Sequence, residues 1–388
     1  MRKTSVKFLK PLGKSFLSVV RIAIFLILIS QTLGEARLII LPLRESVSVK
    51  LNGNGQAFVQ EKRYLELTLG INEVNFSWEK ARINPDSVKI CFLQEPEKVS
   101  ILREISPLNQ PSSLIWEIDS AKEGKELSQL SYLLSGWISY DQYRAKVNEK
   151  EDKVSLEAYF TICNESGEDF KKVNLFSEDK THWQTDIKNG EEKRLPHFKV
   201  ESIPLQKIYV FDKEKWKDKV ALLYQFFNGT GSPLNRDFIP PGKVRVYKEK
   251  GGELSFLGED EIKKTSSNQE LRLYVGKVQD IQIKKEMLEF RKINIRRNER
   301  GIIQVYDTEE EYEITLKNLK EKQVKVEVRE HIPDSWQMLS SQPEGYIKED
   351  AHLIKYEIEI PPKGERKIDY RITRKNLLAR QIVKPLIY

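Results

Sequence analysis

Apolar and polar residues alternate at every second position over long parts of this chain, and that alternation limits the fold more than any motif does. "SVSVKL" puts Val47, Val49 and Leu51 on one side, "LELTL" does the same with Leu65, Leu67 and Leu69, and "VNFSW" with Val74, Phe76 and Trp78. A period of two marks a strand with one buried face. Between these runs stand "NGNG" at 52–55 and "GIN" at 70–72, where Gly and Asn accept positive φ and allow tight reversals. The pattern returns late in the chain with Tyr312, Ile314 and Leu316, then Val324, Val326 and Val328, then Ile354 to Ile360, then Ile368, Tyr370 and Ile372. Many short strands joined by polar turns predict a mostly β chain built of tandem antiparallel β-sandwich domains. The last four strands form a compact set that reads as an immunoglobulin-like domain.

Two runs fit either period. "KELSQLSYLLSG" has Leu127, Leu130, Leu133 and Leu134 at helical spacing, with Gly136 as a stop, and also suits a buried strand. "KVALLYQFFNGTG" alternates Val220, Leu222, Tyr224 and Phe226 with apolar neighbours between them, which predicts a central strand covered on both faces. A chain of 388 residues that is 39% hydrophobic has material for two or three cores. The expected divisions are a segment 1–36, an N-terminal β domain 37–120, a middle β-sandwich region 121–296, and a C-terminal β-sandwich with a basic tail at 297–388. The borders rest on the charged stretches "AKEGKE" and "RNERG".

Residues 1–36 read as a secretory signal peptide. Six basic residues precede the apolar run Ile22 to Ile29, and small residues follow around Gly34 and Ala36. The run falls short of the roughly 20 residues that span a bilayer, so the expected product is an exported protein, periplasmic, surface-bound or extracellular, with no membrane anchor after cleavage. Removing the segment takes away six of 65 basic residues and one of 58 acidic ones, and the formal charge falls from +7 to +2. The basic balance therefore belongs mostly to the leader, which argues against nucleic acid as a partner. "RKINIRRNERG" at 291–301 is the one basic cluster of note. Ile293 and Ile295 alternate there like an inward face, and Lys292, Arg296 and Arg297 are expected on a solvated surface. Cys91 and Cys163 lie in strand-like runs; paired, they would close a 71-residue loop worth about 4 kcal/mol, and unpaired they would serve as small hydrophobes.

The motifs of catalysis are missing. "IPPGKVRVYKEKGGELSFLGEDEI" has the Gly-Lys pair of a phosphate-binding loop, but Asp237 stands where its first Gly belongs and Val244 where its hydroxyl belongs. The stretch reads as a hairpin, with Val244 and Val246 inward, Lys243, Arg245 and Tyr247 outward, and Gly251-Gly252 as the turn. His182, His197, His331 and His352 form no metal-ligand spacing, and there is no G-x-S-x-G elbow. "DTEEEYE" at 307–313 is expected at a solvated edge. Trp137, Tyr140 and Tyr143 cluster in "SGWISYDQYRAKV" as core aromatics or a binding platform, and core is the expectation. No catalytic, cofactor or metal residue is assigned.

Four stretches resemble a known family: "LELTLGINEVNFSWEKARINPDSVKI" at 65–90, "LSYLLSGWISYDQYRAKV" at 130–147 with "FTICNESGEDFKKVNL" at 160–175, "PPGKVRVYKEKGGELSFLGEDEI" at 240–262, and "EYEITLKNLKEKQVKVEVREHIPDSW" at 311–336. They are similar to exported bacterial proteins of the domain-of-unknown-function family 4139, whose longer members are described as mucoidy-inhibitor-like. The resemblance implies a mostly β, multi-sandwich exported protein and carries no catalytic residues. This chain lacks the coiled-coil insertion of the longer members, and Ser135 and Tyr140 stand where Gly and Trp are usual. The expected function is binding or assembly in the cell envelope or outside it, on an envelope protein or a glycan, without an enzymatic activity or cofactor. The alternative is a polysaccharide-acting hydrolase whose carboxylates meet only in space.

Overall fold

In a computed structural model, residues 37–378 are described, and they are mostly strand, 68% against 3% helix. The leader and the last ten residues lie outside the described part. Both ambiguous runs are strands. Gly124–Ser135 buries Leu130, Tyr132 and Leu134, so its inward set follows period two and the helical spacing of its leucines is incidental. Val220–Asn228 sits inside a six-stranded sheet, with Tyr224 and Phe226 buried on one face and Ala221 and Leu223 on the other. Apart from a two-stranded ribbon, the described strands form five sheets of four to six strands. They are mostly antiparallel, with one parallel pair in each of four sheets, for example Gln206–Asp212 beside Val324–His331. Parallel neighbours need a long connection, and here they come from segments far apart in sequence, where no local pattern announces them.

Two compact units share the chain. One comprises the described residues up to Ser139 together with Ile162–Lys193. It holds a four-stranded sheet, Arg37–Ile40, Gly70–Ser77, Ser113–Ser120 and Val99–Ile105 in spatial order, and a six-stranded sheet centred on Ser46–Leu51, Gln56–Leu67 and Gly124–Ser135. The sheets pack through aromatic rings: Phe76 of the first lies 5.8 Å from Tyr132 of the second and stacks on the fully buried Trp116 at 6.3 Å. Glu61 shares the inward face of Gln56–Leu67 with Ala57 and Val59 and is fully buried. A lone buried carboxylate would be costly, and here Arg44 and Arg63 pair with it while Arg44 also holds Glu168.

The other unit comprises Tyr140–Thr161 and the described residues from Arg194 onward. The border expected at 296/297 falls inside it, at the end of the strand Ile281–Arg297. Its platform is a six-stranded sheet ordered Gln269–Val278, Val220–Asn228, Gln206–Asp212, Val324–His331, Leu353–Ile360 and Ile347–Lys348. Tyr224, Phe226, Leu271 and Leu273 of this sheet share one core with Val244 and Val246 of the hairpin strand Gly242–Lys250. Tyr209, Phe211, Val326 and Val328 share a second core with Ile314, Leu316, Ile368 and Tyr370 of a four-stranded sheet. The four late strands of the sequence are all present, two in each layer of this second sandwich.

The stretch 239–262 is the hairpin expected. Gly242–Lys250 pairs with Glu253–Ile262 across Gly251 and Gly252, both at positive φ. Gly242 is required for a different reason: a Cβ there would lie 2.1 Å from the Asp141 carbonyl oxygen, in the strand that runs parallel beside it.

Candidate functional site

The outer face of the six-stranded sheet carries a small apolar island. Ile208, Val210, Ala221 and Leu223 form it, and Trp216 and Tyr274 pack against it. Trp216 comes from a single helical turn, Lys213–Trp216, between two adjacent strands. Asp212 starts that turn by accepting the Lys215 N–H at 3.1 Å, which satisfies one of the donors a helix start leaves open. Lys217, in a left-handed conformation (φ 59°), ends it. The Trp216 ring then lies parallel to that of Tyr274, their planes 11° apart and their centroids 6.1 Å.

Beside this aromatic pair is a cleft of about 440 Å³, within the usual range for small-ligand sites. Its second wall is the end of the hairpin strand, Asp260 to Ile262, with Lys263 following. Asp260 fixes that wall by accepting the Tyr274 N–H at 2.6 Å. Arg272 reaches over two intervening strands to Glu327 and donates to both carboxylate oxygens at 3.2 Å. Glu327 is 7% exposed and also accepts from Arg329 at 2.5 Å. Burial alone would lower the Arg329 guanidinium, but the hydrogen bond to Glu327 together with the charges of Glu327, Glu349 and Asp212 outweighs it and holds the group above its usual value. Four acidic residues, Asp212, Asp260, Glu261 and Glu270, and four basic ones, Lys215, Lys263, Arg272 and Arg329, line the cleft. The lining is charged but balanced. Its chemistry suits a polar, uncharged ligand with one flat apolar face, because the aromatic pair, the island and the neighbouring Ile262, Leu271 and Leu273 offer apolar contact among balanced charges.

Of the residues considered from sequence, the end of the hairpin, Asp260 to Ile262, walls the cleft and His331 lies near it; the others lie elsewhere. Trp137 and Tyr143 are each 2% exposed and belong to cores; the Tyr143 hydroxyl donates to the Pro240 carbonyl at 2.7 Å. Tyr140 is exposed. His331 lies near the cleft, 3.4 Å from both Asp212 and Glu214. The His197 side chain is buried against Asp141 at 2.7 Å, His182 stacks on Phe176, and His352 faces the Ile332 carbonyl. Among the described residues no group of three His, Cys, Asp or Glu side chains is placed to hold a metal ion. Cys91 and Cys163 are unpaired thiols.

Three expectations need correction. Leu69 does not continue the inward face of Leu65 and Leu67: the strand ends at Leu67, and Leu69 is 65% exposed in the turn that follows. "DTEEEYE" lies in Ile303–Asn318, an inner strand of its sheet, and Glu310 is only 2% exposed. It accepts from Thr308 at 2.8 Å and Tyr312 at 2.7 Å and pairs with Arg374. Consecutive glutamates hid the alternation, since a buried carboxylate with donors looks in sequence like an exposed one. Ile295 does not face inward: it is 41% exposed, because Asn294 at φ 50° and a register shift after Ile293 break the alternation.

Fold and cleft together define a β-sandwich protein with an aromatic-walled groove on the open face of one sheet. The chain belongs to the family described as Domain of unknown function (DUF4139), whose profile matches residues 129–375. No curated protein matches it.

Proposed function

We propose that this is an exported binding module that holds a segment of glycan in the cleft beside Trp216 and Tyr274. The observation that carries this reading is the pairing of an aromatic surface with a charge-balanced lining. Sugar rings offer an apolar face to an aromatic ring and hydroxyls to the surrounding carboxylates and guanidiniums, whereas a phosphate would need an excess of donors. Several of the cleft's charged groups are already engaged within the protein: Asp212 caps a helical turn, Asp260 holds a strand, and Arg272 and Arg329 are held by Glu327 behind them. Groups committed in this way supply a rigid lining, which favours binding over proton transfer.

Export rests on the order of basic, apolar and small residues in 1–36. N-terminal sequencing of the chain from cells that produce it is expected to begin near Arg37; a retained Met1 contradicts it. The binding reading is tested by affinity electrophoresis of the full chain through gels containing soluble xylan, β-glucan or peptidoglycan fragments. At least one polymer is expected to retard the chain, with Trp216→Ala abolishing the effect while leaving the circular dichroism unchanged. Retardation that survives Trp216→Ala places the binding elsewhere and refutes the cleft.

A further inference from the structure

The hairpin formed by Ile281–Arg297 and Ile303–Asn318 outgrows the sandwich it belongs to. Its buried face runs past the core residues Tyr312 and Ile372 through Glu310 and Thr308 to Tyr306, and pairing continues beyond it to Arg297 opposite Ile303, with Glu365–Leu378 alongside as far as Leu378 opposite Val305. Residues 294–302, at the end of the ribbon, are all exposed. At its tip Ile295, Ile302 and Leu378 are 41%, 56% and 52% exposed. The tip is also basic: residues 291–302 carry Arg291, Lys292, Arg296, Arg297 and Arg300 against Glu299 alone. Arg291 pairs with Glu289, and Arg296 and Arg297 bond the Asn376 side chain and the Gly301 carbonyl. Among the described residues no ion pair engages Lys292, Arg296, Arg297 or Arg300; Lys292 lies 4.7 Å over the Tyr306 ring and Arg296 acts on the nearby Asp307 carboxylate, which leaves Arg297 and Arg300 the least engaged. The last described residue, Leu378, lies at this end, and the sequence after it runs "ARQIVKPLIY", with two more basic residues.

We propose that this ribbon tip docks on an anionic lipid surface. Aliphatic side chains beside unpaired cations are the combination that enters a headgroup layer, the apolar part for insertion and the cations for the negative surface potential. Nucleic acid is the less favoured partner, because Ile295, Ile302 and Leu378 at the tip are aliphatic and the exposed Phe290 further down the strand is a single ring, short of a stacking platform. The site is separate from the glycan cleft and does not depend on it.

The test is sedimentation of the full chain with vesicles of phosphatidylglycerol and phosphatidylcholine. The leader has an apolar run of its own, so the readout is the difference between variants that share it. Each arginine near the surface is worth roughly fivefold in partitioning, and the triple variant R296Q/R297Q/R300Q is expected to bind about a hundredfold more weakly. I302S is expected to weaken binding while keeping every charge, and K50Q/K89Q/K125Q, three exposed lysines of the other unit, to bind as the unaltered chain does. Circular dichroism of each variant confirms folding. Equal binding by the triple variant, an equal loss in the lysine control, or tip-dependent binding to single-stranded DNA with none to vesicles would each overturn the proposal.

Discussion

Glu330 is the position where the cost of a single change is best defined. It is 2% exposed inside the second sandwich of its unit, paired with the Lys285 ammonium and accepting the Tyr370 hydroxyl at 2.8 Å. Lys285 in turn lies 4.5 Å above the Tyr312 ring. Burial, followed by the charge of Glu330, pushes the Tyr370 phenol well up, so it stays protonated and remains a donor. Replacing Glu330 by Leu strands a cation and a hydroxyl in the core. Breaking a buried pair from one side costs about 3–5 kcal/mol, and the orphaned hydroxyl contributes to that loss rather than standing wholly apart from it. With a urea slope of about 3 kcal/mol per M, a loss of 4 kcal/mol moves the midpoint down by roughly 1.3 M. Pulse proteolysis in urea, following fragments from residues 194–378, reads this unit by itself. The double variant Lys285→Met/Glu330→Leu removes both charges and is expected to recover most of the loss, because an apolar pair of similar volume replaces an ion pair at little cost. A single-variant loss under about 1 kcal/mol, or a double variant no better than the single, would show that the pair is not what holds this core.

Other outcomes follow from other parts of the chain. Burial alone would raise the Glu126 carboxyl, but Lys122 and the Gln94 and Glu95 N–H groups outweigh it and hold it below the usual range. Its contribution is therefore full above the unfolded value of about 4.3 and disappears as pH falls through the lower folded value; the urea midpoint is expected to be flat from about pH 5 to 8 and to drop below 4, less steeply in Glu126→Gln, and parallel curves would contradict this. Cys91 is exposed, whereas burial and the nearby Glu165 and Glu192 push the Cys163 thiol up; a thiol reagent at pH 8 should show one fast and one slow reaction, and two equal rates or no free thiol would refute it. Gly242→Ala must force apart two parallel strands and is expected to cost about 1–3 kcal/mol or more, while Gly276→Ala, where an added Cβ meets nothing within 4 Å, should cost under about 1 kcal/mol; similar midpoints would show that the close approach at Gly242 is relieved elsewhere. Glu327→Gln leaves the Arg272 and Arg329 guanidiniums without their shared carboxylate and is expected to tighten binding of a sulfated oligosaccharide several-fold; unchanged affinity would argue against the charge balance of the cleft.

What the sequence determined by itself was local. Period two placed the strands, Gly251-Gly252 placed the hairpin turn, and the apolar stretch around Leu223 announced a strand covered on both faces, because alternation and turn chemistry are properties of neighbouring residues. Family membership was legible for the same reason, since its motifs are strand ends and turns. The direction of Ile295 escaped, because one bulge reverses every later side chain and leaves no mark in composition. So did the burial of Glu310, whose donors come partly from a strand more than sixty residues away. The cleft was invisible altogether: Trp216 and Tyr274 are fifty-eight positions apart, and Glu327 meets Arg272 only because four strands lie in one sheet. Strand pairing between distant segments is decided by the fit of whole faces, so the elements of this protein could be read from its residues, while its site exists only in the tertiary structure.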